Sequence, residues 1–493
     1  MEMTSGSIQF KEAAMSEQSL RRLVLDGVFW LTAVKVISQV VSWTITIYVI
    51  RILSPNDYGL MAMAGVFLSF ILLFNEVGLS AAIIQKKDLN HEDRSNIGWA
   101  VLLLNLALGA LSFFSAPLVA AFYNESRVTD VIRALSIIFV IRGFGMVSSC
   151  MLAREMIFSR QSLAELSANI SAALATLWLA MEGFGVWSLV YGMILSEIVG
   201  NILCFLFYPW KPGFSFSFSK VKDMIHFGSK VAVARLIWYL YANMDLLIAG
   251  KILGKTQLGY YAIAVQFAFM PLDKMGSTIS QVSFPAFSKV QGDPALLSRY
   301  FLKMVNLIAF ASFPACWGIF LVAESVMPLL LSEKWLPAIL PIQILSVVTA
   351  FRAIHLVNSP LEMAIGRPEI TIRNFAIIVS VMAVSFLIGS SYGLDGLAYS
   401  WLVCPVVSLF TTSITLRLIG LSLAAYFKVL RHPVFGTGFM VLVVLLAQKL
   451  ILVDYGLGAQ AAGSVALGVA SYFSYYLLFN REMFAEAKRI LKR

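Results

Sequence analysis

Apolar runs of about 20 residues alternate with short polar or Pro/Gly joints along most of this chain. A helix of that length crosses the hydrocarbon core of a bilayer, so each run predicts a membrane-spanning helix. Joints such as Ser54-Pro55-Asn56-Asp57 are typical of tight turns at a membrane surface. The predicted spans lie near 27–53, 58–84, 95–121, 128–152, 160–181, 185–208, 226–253, 258–284, 299–323, 336–365, 369–390, 393–418, 434–453 and 457–479. The pattern therefore predicts an all-α integral membrane protein with about fourteen spans.

One joint occurs twice, at an offset of 200 residues. The segment 48–62 repeats as 247–262, so that Arg51 matches Lys251 and Gly59 matches Gly259. A second match relates 133–142 to 343–352, with Leu-Ser and a terminal arginine in common. Six spans separate the copies, and an even number leaves both halves in the same orientation. We predict two six-helix lobes related by a pseudo-two-fold axis along the membrane normal, followed by two extra helices.

These boundaries define six regions of the chain. They are a cytoplasmic N-terminal segment (1–26), an N-lobe (27–208), an amphipathic cytoplasmic linker (209–225), a C-lobe (226–418), spans 13 and 14 (419–480) and a cytoplasmic tail (481–493). In the linker, aromatic residues and lysines interleave. This pattern is typical of a stretch in the lipid headgroup region, although a plain linker explains it equally well.

Composition supports a membrane protein and excludes several other classes. Of the 493 residues, 59% are hydrophobic and only 13% are charged, against about a quarter charged in soluble domains. The net charge of +10 does not indicate nucleic-acid binding, because no soluble module combines a basic run with stacking aromatics. Lysine and arginine instead concentrate in the joints after even-numbered spans and in both tails. By the positive-inside rule, both termini are predicted to be cytoplasmic.

Five cations fall inside the predicted spans, where each would cost about 2.5–3.5 kcal/mol in contact with lipid. They are Lys35, Arg142, Arg235, Lys274 and Arg352. Each either pairs with an acid or reaches a polar cavity, and all five are candidates for substrate binding. Lys35, Arg235 and Lys274 are favoured as ligands because they lie on the helices that carry the duplicated joint. For Arg142 and Arg352 a structural role is favoured. A cationic cavity suits an anionic cargo such as a pyrophosphate.

Acidic residues in the spans are candidates for ion coupling. They are Glu76, Asp245 and Asp273. Glu76 is equally explained as a helix-end charge near surface lysines, and Asp273 as a partner of its neighbour Lys274. The chain contains no phosphate-binding loop, no His-Glu-x-x-His zinc motif and no Gly-x-Ser-x-Gly elbow. The four cysteines lie in apolar runs without metal-ligand spacing. We therefore expect a transporter with no catalytic residues, cofactor or metal.

Four motifs carry a resemblance to a known family: segments 49–60, 74–85, 284–291 and 332–335. With them the chain resembles the Wzx-type polysaccharide exporters, flippases of the multidrug/oligosaccharidyl-lipid/polysaccharide superfamily, and most of all the colanic-acid-exporter branch. The resemblance covers nearly the whole chain, but its motifs mark turns and topology. At position 76 the chain has Glu where the family more often has Asp.

The resemblance implies a bacterial inner-membrane protein that moves an undecaprenyl-pyrophosphate-linked oligosaccharide from the cytoplasmic to the periplasmic leaflet. It implies two lobes around a cationic central cavity that opens to each side in turn. Expected partners are the polyprenyl-pyrophosphate-linked saccharide, membrane lipids, and a polysaccharide polymerase and glycosyltransferases of the same pathway, with no nucleic acid. Two alternatives remain: a multidrug or cation antiporter of the same superfamily, and a membrane polysaccharide polymerase or ligase.

Overall fold

The regular elements of the protein are helices throughout the part that the structure describes. A computed structural model describes residues 39–75, 91–155, 157–210, 213 and 218–480, with the backbone alone for 218–235. In chain order the helices are α1 (Gln39–Ile52), α2 (Pro55–Asn75), α3 (His91–Tyr123), α4 (Arg127–Leu135), α5 (Ile137–Arg154), α6 (Phe158–Met181), α7 (Val186–Phe207), α8 (Phe218–Val290), α9 (Pro294–Leu331), a 3₁₀ turn (Glu333–Ala338), α10 (Ile339–His355), α11 (Asn358–Ala364), α12 (Pro368–Ser390), α13 (Gly393–Ser400), α14 (Val403–Leu418), α15 (Leu423–Leu450) and α16 (Leu457–Phe479).

The number of membrane spans agrees with the prediction. Among the described residues, twelve helical stretches are long and apolar enough to cross a bilayer. The stretch Leu236–Gly276 contains two spans, because α8 breaks at Gly254 (φ 76°, ψ 177°) into arms α8a (218–253) and α8b (255–290). Counting both arms and the shorter apolar helix Gln39–Ile52 gives the fourteen predicted spans. The all-α, multi-pass membrane fold is therefore confirmed.

Two of the predicted regions extend differently from the sequence-based boundaries. Helix α8 begins at Phe218, so the last eight residues of the predicted linker (209–225) belong to the helix that forms span 7. Helix α15 begins at Leu423, well before the predicted start of span 13 at 434. The first part of span 1, most of the linker before Phe218, and the tail from residue 481 lie outside the described residues.

The joint between α1 and α2 is fixed by its own polar side chains. Asp57 Oδ2 accepts hydrogen bonds from the backbone N of Ser54 (3.0 Å) and from its hydroxyl (2.6 Å), and Ser54 Oγ accepts from the backbone N of Asp57 (3.4 Å). This reciprocal arrangement satisfies donors at the start of α2. Asp57 Oδ1 also accepts from the backbone N of Val186 (3.0 Å), at the start of α7. The joint therefore ties the first two spans to the sixth.

The duplicated glycines form a reciprocal helix crossing. A Cβ on Gly59 would lie 1.8 Å from the carbonyl oxygen of Lys255, and a Cβ on Gly259 would lie 1.8 Å from that of Pro55. Residues 55 and 59 correspond to 255 and 259 under the offset of 200, so each half presents the same contact to the other. Such mutual contacts are the mark of a two-fold arrangement. Small residues allow two membrane helices to approach this closely.

The apolar core consists of clusters that join the two lobes and clusters within each lobe. Its largest cluster joins both lobes near this crossing and includes Ile50, Leu60, Val128, Leu258 and Leu331. A second cluster, with Phe287 and Phe301, joins the C-lobe (α8–α14) to the start of α15 through Tyr426 and Leu430, and a third, with Ile97 and Val147, lies within the N-lobe (α1–α7). Helices α15 and α16 pack on α9 through a separate group that includes Leu321, Met440 and Tyr476. The last two spans are thus an addition to a six-plus-six core.

The crossing predicts a strong effect of Gly259→Ala. The added methyl group meets the Pro55 carbonyl and forces the two helices apart, so we expect a loss of about 1–3 kcal/mol of stability, measured as a lower thermal unfolding midpoint of the purified protein in detergent. The matched control is Gly318→Ala, a helical position with no atom within 4 Å of the new Cβ, where alanine should be neutral or stabilising by about 0.5–1 kcal/mol. Equal midpoints for the two variants would contradict the close contact.

Candidate functional site

A cavity of about 890 Å³ lies in the N-lobe and faces the C-lobe. Helices α1, α2, α6 and α7 form most of its wall, and Ala262 and Gln266 of α8b close the side towards the C-lobe. The wall is assembled by the joint described above, because Asp57 holds the start of α2 against the start of α7. Residues of both lobes therefore border this space, although most of its wall belongs to the N-lobe.

The polar groups on the cavity wall are hydroxyls and amides. They include Gln39, Ser42, Thr46, Asn169, Thr176 and Gln266. Glu165 is the one charged residue among the described residues that line the cavity. Most of the remaining wall is made of small or apolar residues of the same helices, which include Ile45, Val49, Met61, Ala172 and Met193. A wall of neutral donors and acceptors can hydrogen-bond a hydroxyl-rich ligand or hold ordered water.

Of the three cations that the sequence favours as ligands, Lys274 is the one whose side chain is described. It is exposed, and its Nζ donates to Oε1 of Gln39 at 2.8 Å. Gln39 is itself on the cavity wall. Lys274 therefore lies at the edge of the cavity, held by a neutral amide and available to an anion. Lys35 lies outside the described residues, and for Arg235 the structure describes only the helical backbone.

Arg142 is engaged within the N-lobe. Its Nη2 forms an ion pair with Oε1 of Glu197, which links α5 to α7. Both side chains are partly exposed. The pair neutralises the arginine charge and ties two helices of one lobe, which is the structural role favoured for this residue.

Arg352 is 6% exposed and lies among aromatic rings in the C-lobe. Its guanidinium carbon is 5.1 Å from the ring centroid of Tyr241, 4.3 Å from that of Phe269 and 4.6 Å from that of Trp401. Its Nε donates to the hydroxyl of Tyr241 at 3.2 Å. Cation–π contacts of this kind hold a charge in an apolar setting. Tyr241 lies on α8a, Phe269 on α8b and Trp401 at the turn between α13 and α14, so the rings join these elements to α10, which carries Arg352.

The candidates for ion coupling have different surroundings. Asp245 is 3% exposed, and its Oδ2 accepts from the hydroxyl of Tyr261 at 2.8 Å. That hydroxyl in turn accepts from Nε1 of Trp401 at 2.6 Å, so Asp245 belongs to the same polar network as Arg352. Asp273 is exposed, and Glu76 lies outside the described residues. Of the two described candidates, Asp245 is therefore buried in a hydrogen-bonded network and Asp273 is exposed.

Beyond the cavity, contacts between the lobes concentrate at the end of the bundle where the duplicated joint lies, here termed the joint face (residues 50–59, 122–125, 251–260 and 332–335). Trp335 is 1% exposed and donates from Nε1 to the carbonyl of Ile50 at 2.9 Å. Its ring lies edge-on between Tyr58 and Tyr260, with centroids 5.6 and 5.9 Å away. Lys334 donates to the backbone carbonyls of Arg51 and Ile52. The joint face is therefore sealed by an aromatic plug.

Polar pairs reinforce this seal. Lys255 Nζ lies 2.6 Å from Oε2 of Glu125, and Thr256 Oγ1 donates to Oδ1 of Asn56 at 2.5 Å. Residues 56 and 256 correspond under the internal repeat, so this bond joins equivalent positions of the two lobes. The seal is thus made mostly of single side-chain contacts, which a relative movement of the lobes can break without unfolding either lobe.

Comparison with known proteins identifies the family of the chain. A family model described as a polysaccharide biosynthesis protein matches residues 48–340, more than half of the chain. The chain belongs to this family. The matched range runs from the first duplicated joint, across the central cavity, to the plug at Trp335. The predicted resemblance to polysaccharide exporters is confirmed.

Relatives within the polysaccharide biosynthesis family extend over nearly the full chain. The teichuronic acid biosynthesis protein TuaB of Bacillus subtilis is 25% identical over 485 residues, covering 96% of this chain and 99% of the relative. The lipopolysaccharide biosynthesis protein WzxC of Escherichia coli is 25% identical over 462 residues, covering 91% of this chain and 90% of the relative.

Solved structures share the fold of this family member. The lipid II flippase MurJ in an inward closed conformation superposes with a TM-score of 0.76 at 14% identity, covering 92% of this chain and all of that protein. An inward-facing multidrug transporter of the MATE family, in the MOP superfamily, gives 0.60 at 17% identity, covering 76% of this chain and 93% of that protein. At sequence identities this low, the similarity establishes the fold alone.

Several residues of the site were not predicted from the sequence. The plug residue Trp335 and its neighbour Lys334 lie in a motif that the resemblance uses, but no pattern assigns them a contact with the first joint. The pair Glu125–Lys255 joins residues of different lobes, and spacing along one chain does not reveal such pairs. The hydroxyls and amides of the cavity wall stand out only as polar positions within apolar runs.

The aromatic surroundings of Arg352 predict that lysine cannot replace it. Arg352→Lys keeps the charge but loses the planar group that stacks on the rings, so we expect a loss of about 1–2 kcal/mol of stability, seen as a lower thermal unfolding midpoint. The control is Arg367→Lys, an exposed residue 3.8 Å from Glu369, for which we expect a change near zero. A midpoint unaffected by Arg352→Lys would show that the rings do not stabilise the guanidinium.

Proposed function

We propose that this protein flips a polyprenyl-pyrophosphate-linked oligosaccharide from the cytoplasmic to the periplasmic leaflet of the bacterial inner membrane. Both termini are then cytoplasmic, and the joint face is periplasmic. The product would serve the synthesis of an exopolysaccharide, an O-antigen or a capsule. The polymerase and glycosyltransferases of that pathway are the partners that this role requires.

The observation that carries the proposal is the cavity shared by the two lobes. It is large, at about 890 Å³, and its polar groups are mainly the hydroxyls and amides that sugars bind. A saccharide carries many donors and acceptors, and burial without partners would cost it about 1–3 kcal/mol for each group. The wall offers those partners while the apolar outer surface of the protein remains in lipid. The polyprenyl chain would stay in the bilayer beside the lobes.

The comparisons add support of a different kind. The family is named for polysaccharide biosynthesis, and relatives aligned over more than nine-tenths of the chain are named for teichuronic acid and lipopolysaccharide biosynthesis. A further relative, 24% identical over 286 residues, is the succinoglycan biosynthesis transport protein ExoT of Rhizobium meliloti. The fold is that of a lipid II flippase. The names of the relatives have the synthesis of polysaccharides in common, and the structural neighbour is named for a lipid-linked cargo.

The pyrophosphate would be bound by the cations at the edge of the cavity. The exposed Nζ of Lys274 and its contact with Gln39 on the cavity wall support this assignment. Lys35 precedes Gln39 by four positions, and Arg235 corresponds to Lys35 under the internal repeat. Lysine and arginine bind phosphates through charge-assisted hydrogen bonds. Arg142 and Arg352 contribute indirectly, by holding helices of each lobe in place.

Transport would proceed by movement of one lobe against the other. In the present conformation the joint face is closed by Trp335 and by the pair Asn56–Thr256, which corresponds to an inward-facing state. Opening towards the periplasm would separate these contacts while the helices that line the cavity keep their packing within each lobe. The reciprocal contact of Gly59 and Gly259 lies on the joint face as well, so this opening would separate it too.

The alternative of a multidrug antiporter is less well supported. Cationic drugs require acidic groups in the binding space, and among the described lining residues Glu165 alone supplies one. The fold is nevertheless shared with a MATE transporter. The two cargoes are separated by offering the purified protein, in vesicles, either a saccharide lipid or a cationic dye, and we expect movement of the saccharide lipid only.

Locking the joint face should stop transport. Asn56 Oδ1 and Thr256 Oγ1 are now 2.5 Å apart. In the variant Asn56→Cys with Thr256→Cys, the sulfur at position 56 lies one bond nearer to the backbone than that oxygen, so we expect a disulfide to form with a small shift of the joint face. We expect oxidation to abolish flipping in proteoliposomes and reduction to restore it. The natural cysteines are buried and stay in place, and each single variant is the control. Normal flipping by a fully cross-linked protein would contradict alternating closure of this face.

Removing the proposed phosphate ligands should slow flipping without affecting insertion. For Lys35→Ala combined with Arg235→Ala we expect at least a tenfold decrease, because each charge-assisted bond is worth about 1.5–3 kcal/mol. The rate is followed by access of an external lectin to the saccharide lipid in vesicles, with protein quantity measured in the same membranes. Arg431→Ala, an exposed position on α15, is the matched control. Unchanged flipping by the double variant would remove both residues from the mechanism.

A further inference from the structure

A second cavity lies in the N-lobe, on the side of α7 away from the cavity between the lobes. It has a volume of about 440 Å³, and α3, α5 and α7 form its wall together with Trp210. At about 3.6 residues per turn, the two cavities use opposite faces of α7. One face carries Ile198, Asn201, Ile202 and Phe205, and the other carries Leu189, Gly192, Met193 and Ser196. The proposed flipping mechanism assigns no task to the second cavity, here termed the N-lobe cleft.

The N-lobe cleft is apolar and opens on the outer surface of the bundle. The side chains of Phe144, Ile202, Phe205 and Leu206 on its rim are exposed, and exposed apolar side chains of membrane-spanning helices contact lipid. Apart from two indoles, Asn201 is the one polar side chain among the described lining residues, and its Nδ2 donates to the carbonyl of Glu197 at 2.7 Å. The interior therefore suits a hydrocarbon chain.

The N-lobe cleft does not cross the whole membrane. On α3 its residues lie between Gly98 and Leu102, near the start of a helix that ends on the joint face at Tyr123. Towards the joint face the cleft is closed, because a Cβ on Gly109 would lie 3.3 Å from the carbonyl oxygen of Ser136 and 3.5 Å from Cβ of Phe139. The cleft thus runs from the middle of the bundle to the end away from the joint face, which places it in one leaflet.

The chain that follows α7 folds back over the open end of the N-lobe cleft. Trp99 Nε1 donates to the carbonyl of Gly213 at 2.7 Å, and the backbone N of Gly213 donates to Ser95 Oγ at 2.8 Å. The ring of Trp210 lies against α3, since a Cβ on Gly98 would lie 2.2 Å from its Cη2. Tryptophan at the end of a span is typical of the boundary between hydrocarbon and lipid headgroups.

Two hydrogen-bond donors at this end of the N-lobe cleft are unused. Nε1 of Trp210 and Nε of Arg94 are both buried atoms, and neither donates to any residue that the structure describes. Arg94 precedes Gly98 by about one helical turn, so the two donors lie at the same end of α3. A buried donor without an acceptor is unfavourable until a ligand supplies one. The two nitrogens therefore indicate a ligand with oxygen acceptors at this depth.

The ionisable groups around these donors carry both signs. Arg94 lies beside the hydroxyl of Tyr208, which donates to Oε1 of Glu155 at 2.9 Å. Arg160 donates from Nη1 to the carbonyl of Phe207 at 3.2 Å, on the exposed side. A guanidinium group with an unused N–H is well suited to a phosphate, which it binds through charge-assisted hydrogen bonds.

A phospholipid supplies both the hydrocarbon and the acceptors. Water or free phosphate would accept from the two nitrogens but leave the apolar cleft unfilled. A carrier lipid that is flipped has to cross both leaflets, whereas the N-lobe cleft occupies one. We propose that the N-lobe cleft binds one phospholipid of the leaflet away from the joint face. One acyl chain lies between α3, α5 and α7, and the phosphate accepts hydrogen bonds from Trp210 and Arg94.

A lipid in this position would stabilise the N-lobe. The lining residues Ile141 and Ile198 are next in sequence to Arg142 and Glu197, whose ion pair links α5 to α7. An acyl chain between these helices fills the space beside the ion pair and adds contacts to both of them. We therefore expect the bound phospholipid to raise the thermal unfolding midpoint of the protein.

The test is the return of phosphatidylglycerol to the purified full-length protein after delipidation in detergent. Native mass spectrometry counts the bound lipid, and the thermal unfolding midpoint is followed as the lipid is titrated. We expect saturable binding of one phospholipid and a rise of the midpoint. Trp210→Phe keeps an aromatic ring but removes the N–H, so it should weaken the affinity about tenfold or more. Ile202→Trp fills the cleft and should weaken it at least as much.

Trp178→Phe is the matched control, because it makes the same exchange at an exposed position of α6 and should leave the affinity unchanged. Each midpoint is compared with that of the same variant without lipid, so a change in basal stability does not enter. Three outcomes would overturn the proposal: no binding by the unaltered protein, full affinity in a folded Trp210→Phe or Ile202→Trp variant, or tighter binding of undecaprenyl phosphate that Ile202→Trp abolishes. Because flipping is not measured, the result does not depend on the proposed function.

Discussion

The architecture depends on the close approach of two helix backbones at Gly59 and Gly259. Each glycine lies against a carbonyl of the opposite lobe at a distance that no side chain permits. Because the contact is reciprocal, it fixes both the pairing of the lobes and the axis that relates them. The largest apolar cluster joins the two lobes around this contact, and further clusters lie within each lobe. The clusters within a lobe let that lobe move as a unit, whereas the shared cluster has to repack when the lobes move.

The charged side chains inside the two lobes are stabilised in different ways. In the N-lobe Arg142 is neutralised by Glu197, whereas in the C-lobe Arg352 is held by aromatic rings and Glu362 by neutral donors. The shared cavity carries mostly hydroxyls and amides. The C-lobe thus concentrates the buried ionisable groups, and the space between the lobes provides the neutral polar surface.

The sequence and the structure agree on features that arise from lipid. Apolar length fixes a span regardless of what it packs against, so the fourteen spans were predictable, and repeated polar anchors revealed the duplication. Where a turn rather than an apolar run set the boundary, the prediction was less accurate: α15 starts at Leu423, ahead of 434, because its first turns are amphipathic and capped by Ser422.

By itself the sequence determined the membrane fold, the repeat and the family, because these follow from local hydrophobicity and from motifs contiguous in the chain. Only the tertiary structure decided the partners of each charge. Arg352 faces rings from residues about 110, 80 and 50 positions away, and Glu362 meets Thr415 from another helix. In a bundle whose helices are all apolar, the rotation of each helix about its own axis decides which residues of other helices lie next to a charged side chain. That rotation is set by packing between helices and leaves no periodic trace in the sequence.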